Sequence, residues 1–153
     1  KKLAEWEAEG RLKAVITQNI DGLHQAAGSR NVLELHGSVH RNHCQRCGKF
    51  YGLEHILRTE GVPRCSCGGI IKPDVVLYEE GLDQGTLEAA VRALAEADML
   101  MIGGTSLNVY PAAGLIRYYQ GHRLVLLNKS PVARDLAADL VITDPIGETL
   151  AQL

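Results

Sequence analysis

The sequence predicts an α/β fold: an open parallel Rossmann-like sheet with helices on both faces, plus a small inserted zinc-ribbon module. Three observations lead there. Continuous apolar runs at residues 99–102 and 124–127 read as strands buried on both faces. Helix-patterned stretches alternate with them, as in parallel strands joined by crossover helices. All four cysteines, Cys44, Cys47, Cys65 and Cys67, fall in one short span that interrupts this rhythm.

Each element has its own reason. Residues 2–12 read as a helix, with Leu3, Trp6 and Leu12 roughly on one side. Residues 14–17 form a short apolar strand running into the polar stretch Gln18, Asn19, Asp21 and Gly22. Residues 23–27 make a short helix stopped by Gly28. Residues 32–35 are a second strand ending at His36 and Gly37, and residues 75–78 are extended. Residues 84–97 show the apolar stripe Leu87, Ala90, Val91 and Leu94 of an amphipathic helix. The strand at 99–102 ends in Gly103, Gly104, Thr105 and Ser106, and a helix begins at Pro111 and stops near Gly121. The strand at 124–127 ends at Asn128 and Lys129; a helix at 132–137, a strand at 140–143 and a last helix at 146–153 complete the pattern.

The cysteine spacing points to metal. Cys44-Gln-Arg-Cys47-Gly is a zinc knuckle, two thiolates on one tight turn, and Cys65-Ser-Cys67-Gly supplies the second pair. Four thiolates close a tetrahedron and leave no place for water or substrate, so one structural zinc per chain is expected. His40 and His43 are the nearby substitutes if the short second pair falls short. The module occupies residues 38–72, and residues 1–37 and 73–153 form the remaining sheet domain.

Composition narrows the partners. The 153 residues are 46% hydrophobic and 22% charged, which is globular. A net charge of −2 offers no basic face, so direct nucleic-acid binding is not expected. No apolar run approaches the ~20 residues of a membrane helix, and the start carries no secretory signal. The chain opens at Lys1 straight into a helical pattern, as a piece of a longer protein would.

The polar groups share a location. Gln18, Asn19 and Asp21, then His36, then Gly104, Thr105 and Ser106, then Asn128 and Lys129 each follow a strand. Ligands of open parallel sheets bind beyond the carboxyl ends of strands. Singly, each group is a common turn, cap or structural histidine; jointly, they predict one crevice.

The stretches Thr17-Gln-Asn-Ile-Asp-Gly-Leu-His24, Glu34-Leu-His-Gly-Ser38, the cysteine pairs, Lys72-Pro-Asp-Val-Val-Leu-Tyr78 and Gly104-Thr-Ser-Leu-Asn-Val-Tyr-Pro-Ala112 occur in this order in sirtuins. The chain resembles a Sir2-type NAD-dependent protein deacylase. That resemblance implies transfer of an acyl group from lysine to ADP-ribose with nicotinamide release. It makes His36 the general base, a role suited to a side chain that titrates near neutral pH. It implies that Gln18, Asn19, Asp21, Gly104, Thr105, Ser106, Asn128 and Lys129 hold NAD. Val75, Val76 and Leu77 on one side, and Leu107, Asn108 and Val109 on the other, would pair with an acyl-lysine peptide as an added strand. The family's first strand and its Gly-Ala-Gly-Ile-Ser type loop would precede Lys1, so this C-terminal portion alone is expected to be inactive or weakly active. A cytoplasmic enzyme is expected. Two other readings are a non-catalytic acyl-lysine or ADP-ribose binding module and a protein ADP-ribosyltransferase. The acidic cluster Asp74, Glu79, Glu80 and Asp83 either favours lysine-rich substrates or is plain solvated surface.

Overall fold

A computed structural model describes residues 1–130, 132 and 137–153. The helices are α1 (Lys2–Ala8), α2 (Leu23–Ala26), α3 (Leu53–Leu57), α4 (Gln84–Ala95) and α5 (Ile146–Ala151), with a 3₁₀ helix at Ala112–Tyr118. The strands are β1 (Val15–Thr17), β2 (Val32–Glu34), β3 (Gly37–Cys44), β4 (Phe50–Gly52), β5 (Ile71–Val75), β6 (Met99–Gly103), β7 (Arg123–Leu127) and β8 (Leu140–Ile142). Residues 133–136 of the helix expected at 132–137 lie outside the described residues.

The parallel strands form two ladders. β1 pairs with β2, placing Val15 opposite Val32 and Thr17 opposite Glu34. β6, β7 and β8 form the second ladder in that order. Both ladders reach one core. Ile16 and Leu33 from the first and Leu100 from the second pack on a cluster of Leu35, Ala90, Leu94, Ala112 and Leu115. α4 and the 3₁₀ helix therefore serve as the shared buttress. Ile102, Leu107, Ala113 and Leu126 form a second cluster under β6 and β7. Between the two ladders in chain order comes an antiparallel sheet, β4-β3-β5.

Helix ends follow local chemistry. α1 stops earlier than its apolar spacing suggests, because Gly10 takes φ 73°. The Gly10 N–H then reaches Glu7 O and the Arg11 N–H reaches Trp6 O. That paired closure is a Schellman motif, which a glycine after the helix permits. Gly28 at φ 106° ends α2 in the same way, its N–H donating to Gln25 O and that of Ser29 to His24 O. α4 starts on Asp83, whose Oδ1 accepts from the N–H of Thr86 at 2.8 Å and from its hydroxyl at 2.9 Å. The helix read from Pro111 is a tighter 3₁₀ turn. Gly114 lies within it, and the Gly114 N–H reaches back only to Pro111 O.

α1 is docked by one carboxylate. Glu7 Oε2 accepts from the Arg30 N–H at 2.8 Å and Oε1 from the Asn31 N–H at 2.6 Å. These two donors hold the Glu7 carboxyl below its ordinary value of 4.5. A lowered carboxyl contributes stability above its unfolded pKa and loses it as pH falls toward the folded one. Glu7→Gln should therefore lower the melting temperature at neutral pH. The gap from the unsubstituted protein should close as pH is lowered through and below about 4.5, in thermal scans from pH 7 to 3. Within the shared core, Leu94 is buried, and Leu94→Ala should cost about 2–5 kcal/mol in denaturant unfolding.

Candidate active site and metal centre

β2 ends at Glu34 and β3 begins at Gly37, so only Leu35 and His36 separate a parallel ladder from an antiparallel one. Gly37 makes this switch possible. It sits at φ 77°, and a side-chain carbon there would drive into the backbone carbonyl of Asp74 on β5. Only glycine lets the two strands come this close. The Val76 N–H donates to His36 O at 3.0 Å, fastening the same turn from the other side.

The loop after β1 is tied to this segment carbonyl by carbonyl. Thr17 O accepts from the Leu35 N–H at 2.9 Å, and Ile20 O from the Val39 N–H at 3.1 Å. Gln18 O lies 3.0 Å from His36 Nδ1, and Asp21 O lies 2.9 Å from His40 Nε2. A slip in strand register between Ser38 and Asn42 on β3 spans the residues that make the last contacts. Gly22, at φ 70°, lies under the His40 ring, where a Cβ would come within 2.8 Å of the imidazole.

The first of the two imidazole contacts fixes a tautomer. A backbone carbonyl only accepts, so Nδ1 of His36 must carry the proton. Neutral His36 thus leaves Nε2 unprotonated and able to take a proton. The side chain is half-buried.

Other predicted residues are placed as follows. Asn19 and Asp21 are exposed, and Gln18 is half-buried. Asp21 Oδ1 also accepts from the Leu23 N–H at 3.0 Å, across Gly22, the residue before α2. Past β6, Gly104 adopts φ 63° with open space around its α-carbon, and its N–H donates to Leu127 O at 3.1 Å. Thr105 Oγ1 accepts from the Leu107 N–H at 3.2 Å, which shapes the loop bearing exposed Ser106. Asn128 bonds through its N–H to Ile142 O and through its side-chain amide to Ser130 O; Lys129 is exposed. The structure thus joins His36 to the Gln18 loop, and the Gly104 loop to the end of β7. Leu107 is buried at φ 57°, whereas Asn108 and Val109 are exposed. β5 stops at Val75, earlier than the extended run expected to 78, because residues 77–80 close a turn.

The four cysteines converge. Their sulfurs all lie within 4.8 Å of one another, with Cys44 to Cys67 and Cys47 to Cys65 each at 3.5 Å. A tetrahedral zinc with Zn–S bonds of ~2.3 Å sets its sulfurs about 3.8 Å apart, so the donor set fits the ion. All four are free thiols. Gly69 makes room, since a Cβ there would stand 2.6 Å from Cys44 Sγ. The Cys67 N–H, then the Tyr51 hydroxyl at 3.1 Å from the sulfur, draw the Cys65 thiol down to about 5. The Lys49 N–H also pulls on Cys47, yet its three sulfur neighbours push it up to about 11. Four thiolates this close repel each other until a cation joins them.

His40 and His43, the expected substitutes, are occupied elsewhere: His40 on Asp21 O and His43 Nδ1 on Asp74 Oδ1 at 2.8 Å. Cys65 and Cys67 reach the cluster themselves, so neither histidine is required. The acidic cluster is also largely engaged. Asp74 faces His43, Asp83 caps α4, and Glu80 Oε2 bonds the Leu77 N–H and Lys72. Sequence reasoning missed these pairs, and it missed Arg41, which meets the Glu34 carboxylate at 2.8 Å. Opposite charge is the signal for Arg41 with Glu34 and for Lys72 with Glu80, seven and eight residues apart, whereas Asp83 with Thr86 has a helix-start spacing.

Comparison with known proteins now bears on this geometry. A sequence-family model, Sir2 family, matches residues 1–111. The chain belongs to the Sir2 family. It is 61% identical over 150 residues to a Clostridium acetobutylicum protein named NAD-dependent protein deacetylase, covering 97% of this chain and 61% of the relative. A Clostridium perfringens protein of the same name is 60% identical over 153 residues, covering 99% and 63%. The chain thus spans just under two thirds of the length of these curated relatives. Among solved structures, one described as a Sir2–p53 peptide–NAD+ complex superposes with a TM-score of 0.90 at 40% identity, covering 99% of this chain and 65% of that one. A Sir2 bound to acetylated peptide gives 0.90 at 39%, covering 99% and 66%. Among the described residues, no helix is long and apolar enough to cross a membrane.

Freshly purified protein should carry about one zinc per chain by elemental analysis. Gly69→Ala should lower that content and make the remaining zinc easier to strip with a chelator.

Proposed function

We propose that this Sir2-family chain is the C-terminal part of an NAD-dependent protein lysine deacylase. The observation that carries the reading is the His36 tautomer. Hydrogen-bonded through Nδ1 to Gln18 O, the ring keeps Nε2 free to accept a proton. A positioned imidazole of that kind is a general base. The names of the relatives support the reading.

Bound NAD supplies an electrophilic ribose carbon once nicotinamide departs. The chain's own groups do the rest. His36 takes a proton from a ribose hydroxyl at Nε2, and the Gln18 carbonyl stabilises the imidazolium by accepting from Nδ1. Gln18, Asn19 and Asp21 surround the nicotinamide ribose from a loop whose backbone is already fixed. Gly104, Thr105 and Ser106 receive phosphate and ribose, and open space at Gly104 suits close approach of a ligand. Asn128 and Lys129 contact the adenosine side. An acyl-lysine peptide lies between Val75, Val76 and Leu77 and the edge formed by Leu107, Asn108 and Val109. In this reading, residues 1–37 and 73–153 bind nucleotide and residues 38–72 hold a structural zinc. We read the compartment as cytoplasmic, in keeping with the bacterial relatives of the chain.

Nicotinamide release from NAD plus an acetyl-lysine peptide tests this in the full-length protein. His36→Ala should lower kcat by about 10²–10⁴-fold while leaving NAD binding within a few-fold. Equal rates for the two proteins would remove His36 as base.

A further inference from the structure

The two buried sulfurs of the cysteine cluster need more than an ion. Four thiolates on one divalent cation leave about two negative charges in excess. Cys47 and Cys67 are exposed and can share that charge with water, whereas Cys44 and Cys65 are buried. A buried anion is stable only where donors meet it. The Arg46 N–H, 3.4 Å away, serves Cys44. Cys65 has the Cys67 N–H and the Tyr51 hydroxyl at 3.1 Å, with Ser66 Oγ farther off at 3.9 Å. A zinc-bound sulfur carries no proton, so the phenol is the donor in this contact.

Tyr51 is fixed independently of the sulfur it meets. It lies on β4 opposite Asn42 of β3. Asn42 is buried, and its side-chain amide donates to Tyr51 O at 3.3 Å and to Val39 O at 3.0 Å. On β4 the neighbours Phe50 and Gly52 are exposed, while Tyr51 is half-buried and packs on the cluster of Cys44, Cys65 and Ile71. Its ring centroid lies 4.5 Å from that of His55, and Lys49 Nζ stands 5.4 Å over its face. A donor placed in this way loses little freedom when the metal binds. Hydrogen-bond partners of metal ligands commonly set how tightly the ion is held.

We propose that Tyr51 is a positioning residue for the zinc site: its hydroxyl holds the Cys65 sulfur among the other three and slows loss of the ion. The inference rests on the zinc reading of the four cysteines and is independent of the deacylase chemistry.

The test is zinc transfer from the full-length protein to an excess of a colorimetric chelator. Tyr51→Phe keeps the ring and loses only the hydroxyl, and it should release zinc about tenfold faster. Cobalt in place of zinc reads the sulfur directly. Without the hydrogen bond the lone pairs of Cys65 rise in energy, so the sulfur-to-cobalt charge-transfer band of Tyr51→Phe should move to longer wavelength. A packing defect alone would leave that band in place. Equal release rates for the two proteins would overturn the proposal, as would faster release with an unshifted band. An unsubstituted protein that holds neither zinc nor cobalt would remove the zinc reading and this inference together. A zinc-loaded protein indifferent to Tyr51→Phe would remove the inference alone.

Discussion

The His36 side of the candidate site depends on the zipper between residues 17–21 and 35–40. Four carbonyls, those of Thr17, Gln18, Ile20 and Asp21, each face a nitrogen of the opposing segment at 2.9–3.1 Å. Two of those nitrogens are backbone and two belong to histidine rings. A polar loop beyond a three-residue strand would otherwise be free to wander. Here four of its carbonyls are satisfied locally, while the Asn19 and Asp21 side chains stay exposed. The same bonds orient one imidazole and lock another against Gly22.

The zinc cluster plays the corresponding part for the antiparallel sheet. β3 delivers Cys44, the bridge between Arg64 and Ile70 flanks Cys65 and Cys67, and β5 begins at Ile71. The apolar core here is small, with Cys44, Cys65 and Ile71 buried and Tyr51 and Ile56 packed against them. A module with so little to bury needs a metal to close it. Tyr51 serves both needs, packing on the cluster and giving its hydroxyl hydrogen bond to Cys65.

The sequence made the repeating features readable. Apolar runs marked β6 and β7, amphipathic spacing marked α4, and paired cysteines marked the metal site, because each is a periodicity or a spacing. What escaped was set by contacts between distant segments. α1 ends at a glycine whose φ the apolar stripe does not encode. Residue 77 leaves the strand where Glu80 folds back onto its N–H. His40 and His43 sit beside the cysteines in sequence, yet they bond to Asp21 and Asp74 in space. The role of Gly37 is invisible until β5 is seen lying against it.

Gly37 also has a mechanical meaning. The chain passes from the parallel ladder of β2 to the antiparallel ladder of β3 through two residues, with no linker to absorb motion. His36 is one of those two, and its carbonyl is held by β5. β3 carries Gly37 at one end and Cys44 at the other, so the turn that bears His36 and the four-cysteine site share one strand.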